Sequence, residues 1–297
     1  MKITLQTLTK KQSKLYINFF GKASSGKTFT ALTVACALAS SNDKVLIIDT
    51  ENRSHYYAND FQGVLSCTNN ITAKEPKISE LLEIIDYAKK NAQIEVVVID
   101  SLTPFWDKMV EYADNLASHN PKLASHGSNW KKPKQTIKTM TMGLRKSGLH
   151  IITTSLGKDE TGENMKPTGK ILPCFERIKF EPYLDIQVIL HQNGTIFESV
   201  KSLHYELKDI FAKNTQINKD WVSKIQKWLD DGITVQEDDN LSKFIQKAQK
   251  DEEEDDATSK IKNIDVDVES IEIPEINEDE IVKSINNNNK QQMETML

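Results

Sequence analysis

An eight-residue pattern near the amino terminus limits the folds open to this chain more than any other feature. Gly21-Lys-Ala-Ser-Ser-Gly-Lys-Thr28 matches the spacing G-x-x-x-x-G-K-[ST]. It lies between a short apolar run, Tyr16–Phe20, and an Ala- and Leu-rich stretch, Lys27–Ser41. The run is typical of a buried strand and the stretch of a helix. A strand, a glycine-containing loop and a helix in this order predict the first unit of an α/β domain.

The residue types in this loop suit an anion. Glycines allow the backbone to point successive N–H groups inward, at a helix N-terminus whose dipole also attracts negative charge. Lys27 is expected to reach the β- and γ-phosphates of ATP, and the Thr28 hydroxyl is expected to ligate Mg²⁺. The alternative is a glycine-rich turn without a ligand. We predict that ATP contacts every residue of the loop: Gly21, Lys22, Ala23, Ser24, Ser25, Gly26, Lys27 and Thr28.

Two acidic positions complete the predicted site. Asp100 ends the apolar strand Val96–Ile99, where a Walker B carboxylate would hold Mg²⁺ directly or through water. Many ATPases carry a Glu directly after this Asp, but here the next residue is Ser101. Glu51 follows the strand Val45–Ile48, which we expect between the two Walker strands, and is our candidate for polarising the attacking water. The alternative is a carboxylate that caps the segment starting near residue 52.

The rest of the chain alternates strands and helices as far as residue 205. We predict helices over 78–91, 104–116 and 130–147, and strands over 94–100, 149–155, 183–190 and 194–199. The last two strands are expected to pair through the turn 192–194. Near-continuous apolar strands predict a mostly parallel sheet covered by helices on both faces. Residues 156–170 contain Gly and Lys and are expected to form a loop, and one short helix is expected near 220–231.

Composition changes sharply after Gly232. Of the net charge of −5, residues 233–297 carry −11 and residues 1–232 carry +6. We expect three parts: an ATPase core over 1–205, a short helical extension over 206–232 and a disordered acidic tail over 233–297. The tail could simply solvate the chain, mimic DNA on the basic body, or recruit a basic protein partner.

Several classes of protein are disfavoured by composition. No apolar run is long enough to span a membrane, and the first residues do not resemble a secretory signal. The three cysteines are scattered, which disfavours structural zinc and a disulfide framework. We therefore expect a cytoplasmic protein.

The motif set resembles the RecA-type ATPase core, here called a RecA-like P-loop NTPase fold. Strand one leads into GKASSGKT, strand two ends Ile-Asp-Thr-Glu51, strand three ends Val-Ile-Asp-Ser101, and strand four ends Thr153-Thr-Ser155. More narrowly, 98–103, Trp106, Trp130 and 149–155 resemble short phage-encoded RecA-like ATP-binding proteins, a group that includes single-strand annealing recombinases. The resemblance covers residues 14–205.

This resemblance implies ATP at Gly21–Thr28, Mg²⁺ at Thr28 and Asp100, and catalysis aided by Lys27 and Glu51. It also implies single-stranded DNA as a partner. ATP is expected to bind either between the subunits of a homo-oligomer or against one surface of the protein. Bacterial RecA has a γ-phosphate-sensing Gln at the end of its fourth strand, where this chain has Thr154 and Ser155. The chain also has no clear amino-terminal polymerisation segment, so the residues do not support a filament.

Two regions are candidates for contact with nucleic acid. The loop 156–170 carries Lys158, Lys166 and Lys170, although acidic residues lie among them and no aromatic does. The alternative is a solvated loop that closes over the nucleotide or a neighbouring subunit. Trp130-Lys-Lys-Pro-Lys134 places an aromatic beside lysines and is followed by Lys138, Arg145 and Lys146. This basic patch suits a strand-binding rim or, equally, a helix start with a solvated face.

Taken together, these features predict a Mg²⁺-dependent ATPase in phage-type DNA recombination, annealing or repair. A non-hydrolysing ATP-dependent switch that loads a partner protein is the first alternative. A small-molecule kinase is the second, and it is disfavoured because a kinase lid is rich in arginine. The chain contains only Arg53, Arg145 and Arg177.

Overall fold

The computed structural model describes eight stretches of the 297-residue chain. They are residues 7–67, 76–91, 93–125, 127–162, 165–175, 180–202, 205–234 and 241–262. Packing contacts group residues 1–254 into one compact unit and residues 255–297 into a second. In the second unit the described residues are 255–262, the last part of a helix that ends at Lys262. Among the described residues, no helix is both long and apolar enough to cross a membrane.

Runs rich in β-branched or aromatic residues form most strands of one central sheet. The strand order is β3-β2-β4-β5-β1-β7-β8, and β6 pairs with β5 outside this path. All pairs are parallel except β5–β6 and β7–β8. The predicted α/β fold with a mostly parallel sheet is therefore confirmed. The strands are β1 (Tyr16–Gly21), β2 (Val45–Asp49), β3 (Leu65–Cys67), β4 (Val96–Asp100), β5 (His150–Thr161), β6 (Pro167–Pro173), β7 (Ile186–Leu190) and β8 (Ile196–Lys201).

Helices cover both faces of this sheet, each burying the apolar side of its own pattern. α1 and α6 pack on one face, and α2, α3, α5 and α7 contribute to the core on the other. The predicted helix over 78–91 is found with the same bounds. The helices are α1 (Lys27–Leu38), α2 (Ile78–Asn91), α3 (Thr103–His119), α4 (Pro121–Ser125), α5 (Lys131–Arg145), α6 (Lys219–Asp230) and α7 (Leu241–Lys262).

Two predictions about the strands are wrong. The region 156–170 is not a loop: β5 continues to Thr161, and β6 returns beside it as a hairpin. The backbone pairing of β6 satisfies polar groups of β5 beyond the buried core, so no apolar run is needed there. β2 also does not lie between the Walker strands. β5 separates β1 from β4, and β2 lies on the outer side of β4.

Structure also extends into the acidic region that was predicted to be disordered. α7 begins at Leu241, and both Leu241 and Ala248 are buried against the α2–α5 side of the sheet. The carboxylate of Glu252 accepts hydrogen bonds from the backbone N–H groups of Ile78 (2.8 Å) and Ser79 (3.1 Å), so it caps α2. Within the tail that was predicted to be disordered, a helix is therefore described over 241–262, while residues 235–240 and 263–297 lie outside the described residues.

The segment between the core and the acidic region is ordered by packing. A 3₁₀ stretch over Tyr205–Phe211 precedes α6, and Trp221 of α6 is buried with its indole N–H donating to the carbonyl of Ile210 at 2.7 Å. α6 packs against α1, on the face of the sheet that α1 covers. The boundary at residue 205 stays a prediction.

Candidate functional site

The phosphate loop connects the end of β1 to the start of α1, as the spacing predicts. Gly26 has φ 81° at the N-cap of α1, a left-handed conformation that favours glycine. Gly21 has no room for a side chain, because a Cβ atom there would lie 2.6 Å from the carbonyl oxygen of Leu190. These two glycines therefore fix the shape of the loop, and the N-terminus of α1 faces the carboxyl edge of the sheet.

Lys27 lies inside this loop. Its Nζ donates to the carbonyl oxygens of Gly21 at 3.1 Å and Lys22 at 2.9 Å. Burial lowers the pKa of the Lys27 ammonium, and the nearby carboxylates of Asp100 and Glu51 act in the opposite direction. A partly desolvated ammonium beside two carboxylates is placed to interact strongly with a polyphosphate.

Thr28 and Asp100 meet at the predicted metal position. The Thr28 hydroxyl donates to Asp100 Oδ2 at 2.7 Å, and the Thr154 hydroxyl of β5 donates to Asp100 Oδ1. Burial raises the pKa of Asp100, while the two hydroxyl hydrogen bonds lower it. The peptide bond from Asp100 to Ser101 is cis.

The donor set of this pair fits a hard divalent cation. A hydroxyl oxygen and a carboxylate oxygen converge, and Mg²⁺ prefers oxygen ligands completed by waters and substrate phosphates. The ion would also stabilise the charge on Asp100, which burial alone disfavours. Thr28 and Asp100 are therefore the residues that would hold Mg²⁺.

Asp49 ends β2 and Glu51 lies two residues beyond it, and the two carboxylates have different roles. Asp49 is buried and accepts hydrogen bonds from the backbone N–H groups of Glu51 (3.0 Å), Arg53 (2.7 Å) and Ser54 (2.6 Å). The capping function considered for Glu51 is therefore performed by Asp49. The exposed carboxylate of Glu51 is left at the carboxyl edge of the sheet, on the Walker B side.

Ser101 and Thr50 also lie at the site, although neither belongs to a recognised sequence motif. The Ser101 hydroxyl donates to Glu51 Oε1 at 3.0 Å. The Thr50 hydroxyl donates to the carbonyl oxygen of Ser101 at 3.0 Å and accepts from its N–H at 2.8 Å. The available sequence signal was the unusual Ser directly after the Walker B Asp.

The β5–β6 hairpin contacts the phosphate loop directly. Lys22 forms an ion pair with Asp159, with Nζ 2.8 Å from Oδ1. A Cβ atom on Gly157 would lie 2.6 Å from Ile171 Cγ2 and 3.1 Å from the Gly21 backbone. The start of the hairpin is therefore packed tightly on the loop, whereas Lys158, Lys166 and Lys170 are exposed.

An aromatic surface lies beside the first turn of α1 and was not predicted. Phe29 follows Thr28, is 46% exposed, and packs edge-on against Tyr57 and Phe61. Next to it, Tyr57 and Phe61 contribute to the lining of a cavity of about 270 Å³. Exposed aromatic faces next to a phosphate site are suited to stacking with a planar group.

The predicted basic rim around Trp130 is partly engaged in packing. Trp130 stacks on Trp106 with ring centroids 5.6 Å apart, and Lys132 lies over the ring of Tyr112. Arg145 is ion-paired with the buried Asp185. Lys131 and Lys134 at the start of α5 keep solvent-accessible side chains.

A parallel sheet, a loop that matches the Walker A pattern and a Walker B carboxylate hydrogen-bonded to the loop threonine define a P-loop NTPase. The family model described as AAA domain matches residues 13–180, more than half of the chain. The chain therefore belongs to the AAA domain family, and a nucleotide-binding function follows from this membership. A comparison with curated proteins finds no match to the chain.

Proposed function

We propose that the protein is a Mg²⁺-dependent ATP hydrolase that acts in phage-type DNA recombination, single-strand annealing or repair. One observation carries the hydrolase part: Lys27, Thr28, Asp100 and Glu51 converge at one edge of the sheet, next to a loop shaped for phosphates. The RecA-like resemblance of the motifs supports the DNA part.

In this mechanism the backbone of the loop and Lys27 bind the β- and γ-phosphates of ATP. Mg²⁺, when bound, neutralises charge on the phosphates. Glu51 orients a water molecule for in-line attack on the γ-phosphorus, and Lys27 stabilises the negative charge that develops in the transition state. Asp100 and Thr28 fix the geometry of the metal position.

Replacement of the Glu51 carboxylate tests hydrolysis. We expect Glu51→Gln to lower ATP turnover about 100-fold, with nucleotide affinity within about twofold of the unaltered protein, because a positioned base contributes mainly to the transition state. Glu111→Gln, at an exposed position of α3, is the matched control. Unchanged turnover in Glu51→Gln would refute the assignment of Glu51.

Contact with single-stranded DNA is assigned to the exposed lysines of the hairpin, Lys158, Lys166 and Lys170. Each lysine that contacts a phosphate steepens the dependence of binding on salt. A triple Lys→Gln variant should therefore bind single-stranded DNA more weakly and with a shallower salt dependence. If the unaltered protein neither binds this DNA nor changes its ATPase rate with it, the DNA part of the proposal is rejected.

The acidic tail is proposed to compete with DNA for the basic body, and the alternatives remain a solvating tail or an arm for a basic partner. Because α7 caps α2 and packs on the core, a truncation at Gly232 would also damage the fold. The informative truncation follows Lys262 and removes nine acidic residues and two lysines. We expect it to tighten DNA binding, most clearly at low salt.

The non-hydrolysing switch is the alternative that one observation favours. Glu51 is not on the Walker B strand, and its carboxylate is held by Ser101, the residue that follows that strand. Nucleotide binding without turnover in the unaltered protein would select this alternative.

The kinase alternative would require transfer of phosphate to a small acceptor. A homo-oligomer is part of the proposal, and sedimentation with and without ATP tests it.

A further inference from the structure

The contact between Ser101 and Glu51 joins two strands at the carboxyl edge of the sheet. β2 and β4 are neighbours with Asp49 opposite Asp100, so the residues that follow these positions lie side by side. The hydroxyl of Ser101 donates to Glu51 Oε1 at 3.0 Å. Many ATPases have a Glu directly after the Walker B Asp. In this chain Ser101 occupies that position, and its hydroxyl donates to the carboxylate of Glu51.

Ser101 is itself held in place. It is 1% exposed. The Thr50 side chain bridges both its N–H (2.8 Å) and its carbonyl oxygen (3.0 Å), and the backbone N–H of Thr50 donates to the carbonyl of Asp100 at 2.9 Å. A buried residue with its backbone fixed from the neighbouring strand can orient a partner with little loss of entropy.

Glu51, in contrast, is exposed, and its side chain has several rotatable bonds. A flexible glutamate samples many positions, and catalysis depends on how often it adopts the productive one. The described hydrogen bonds restrain Glu51 at both ends: Asp49 accepts from its N–H, and Ser101 donates to its carboxylate.

We propose that Ser101 is a positioning residue for hydrolysis: it orients Glu51, and Thr50 fixes Ser101. This inference rests on the proposed function, since it assigns the residue that places the proposed water-orienting carboxylate. Ser101 acts through Glu51 and contributes little to nucleotide binding.

The test compares Ser101→Ala, Glu51→Gln and the double variant in steady-state ATP hydrolysis with Mg²⁺, together with binding of a fluorescent ADP analogue. We expect Ser101→Ala to lower kcat about tenfold with KM and ADP affinity within about twofold, because a lost orienting contact acts on the transition state. In the Glu51→Gln background, Ser101→Ala should cause no further loss. Ser147→Ala, which removes a buried hydroxyl bonded to the Leu144 carbonyl, controls for the loss of a buried polar group.

The outcomes separate this inference from the proposed function. If Glu51→Gln lowers turnover and Ser101→Ala does not, the positioning role is wrong and the hydrolase proposal stands. A further tenfold loss in the double variant, or loss of ADP binding in Ser101→Ala, also overturns the positioning role. If Glu51→Gln has no effect, or the unaltered protein has no turnover, the proposed function fails and this inference fails with it.

Discussion

The inner half of β5, residues 150–155, and its outer half, residues 156–161, are continuous in backbone but lie in opposite environments. The inner half is buried between β4 and β1, and its Thr154 hydroxyl donates to the Walker B carboxylate. The outer half is half-buried to exposed. Its contacts with the phosphate loop include the backbone pairing of Leu156 with Gly21, close packing at Gly157 and an ion pair at Asp159. The inner half thus fixes the position of the Walker B carboxylate through buried contacts, while the outer half is held by more exposed contacts.

The largest expected effect is on the inner half. Thr154→Val keeps the shape of the side chain but leaves Asp100 Oδ1 buried without this donor. Without this donor Asp100 can shift at the metal position, and a misplacement of about 1 Å can lower a rate about 100-fold, so we expect ATP turnover to fall about 50- to 100-fold. Thr154→Ser keeps the hydroxyl and should retain most of the activity. Equal activity in Thr154→Val and Thr154→Ser would show that the inner half does not position Asp100.

The next effect concerns His150, the first residue of the inner half. The pKa of His150 is lowered to about 4: burial is the main cause and Lys14 adds to it, while Asp230 and Glu95 act in the opposite direction. The unfolded chain therefore binds more protons between pH 6.5 and 4, and stability is lost as the pH falls through this range. We expect the free energy of unfolding to drop by about 2 kcal/mol between pH 7.5 and 5 from this group.

Urea unfolding at the two pH values measures this loss. His150 Nδ1 accepts the Leu15 N–H at 3.1 Å, and the amide oxygen of an asparagine can accept in its place. His150→Asn should therefore show a smaller loss than the unaltered protein, whereas His191→Gln, at an exposed histidine, should show the same loss. An identical loss in His150→Asn contradicts the assignment to His150.

A smaller effect is expected where the outer half meets the phosphate loop. In Gly157→Ala the new Cβ would lie 2.6 Å from Ile171 Cγ2 and 3.1 Å from the Gly21 backbone, so the hairpin or the loop has to shift. We expect ATP affinity to fall about fivefold, with a smaller change in kcat, because the loop binds the ground state and the transition state alike. Gly162→Ala lies in the same hairpin, where the nearest contact of a Cβ is a threonine methyl at 3.0 Å, and is the control. Equal ATP affinity in the two variants would show that the packing of the hairpin on the phosphate loop does not affect ATP binding.

The smallest effect is expected for the ion pair itself. Lys22 and Asp159 have side chains that are 56% and 47% exposed, so their attraction is screened by solvent. Such pairs contribute about 0–1 kcal/mol, and so exposed a pair is expected to lie at the low end of that range. Asp159→Asn should therefore change ATP affinity by less than about twofold, which is about 0.4 kcal/mol. A large loss of ATP affinity in Asp159→Asn would contradict the expectation that the outer half contributes less to the nucleotide site than the inner half.

The parts of the site that local spacing determines were predictable. Gly21 and Gly26 are required by the close approach to Leu190 and by the left-handed N-cap, and Asp100 ends an apolar strand. The contacts of Thr154 with Asp100 and of Ser101 with Glu51 depend instead on which strands are neighbours. No local pattern specifies that β5 lies between the two Walker strands.

The hairpin and α7 escaped prediction for a similar reason. The outer half of β5 has no apolar run and is a strand because β6 pairs with it. α7 lies in an acidic region, but Leu241 and Ala248 lie on one face of the helix. Both are buried in the same core cluster as apolar residues of α2 and α5. In both cases the partner that stabilises the element comes from elsewhere in the chain.

The strand order also has a consequence for synthesis on the ribosome. β1 pairs with β5 and β7, so the first strand to emerge has to wait for partners that follow much later, and Leu15 contacts His150 across 135 residues. At about 5–20 residues per second, translation leaves this apolar strand without a neighbour for seconds. We expect a nascent chain released before residue 150 to need a chaperone or to aggregate, because its nucleotide-binding half has no sheet to join.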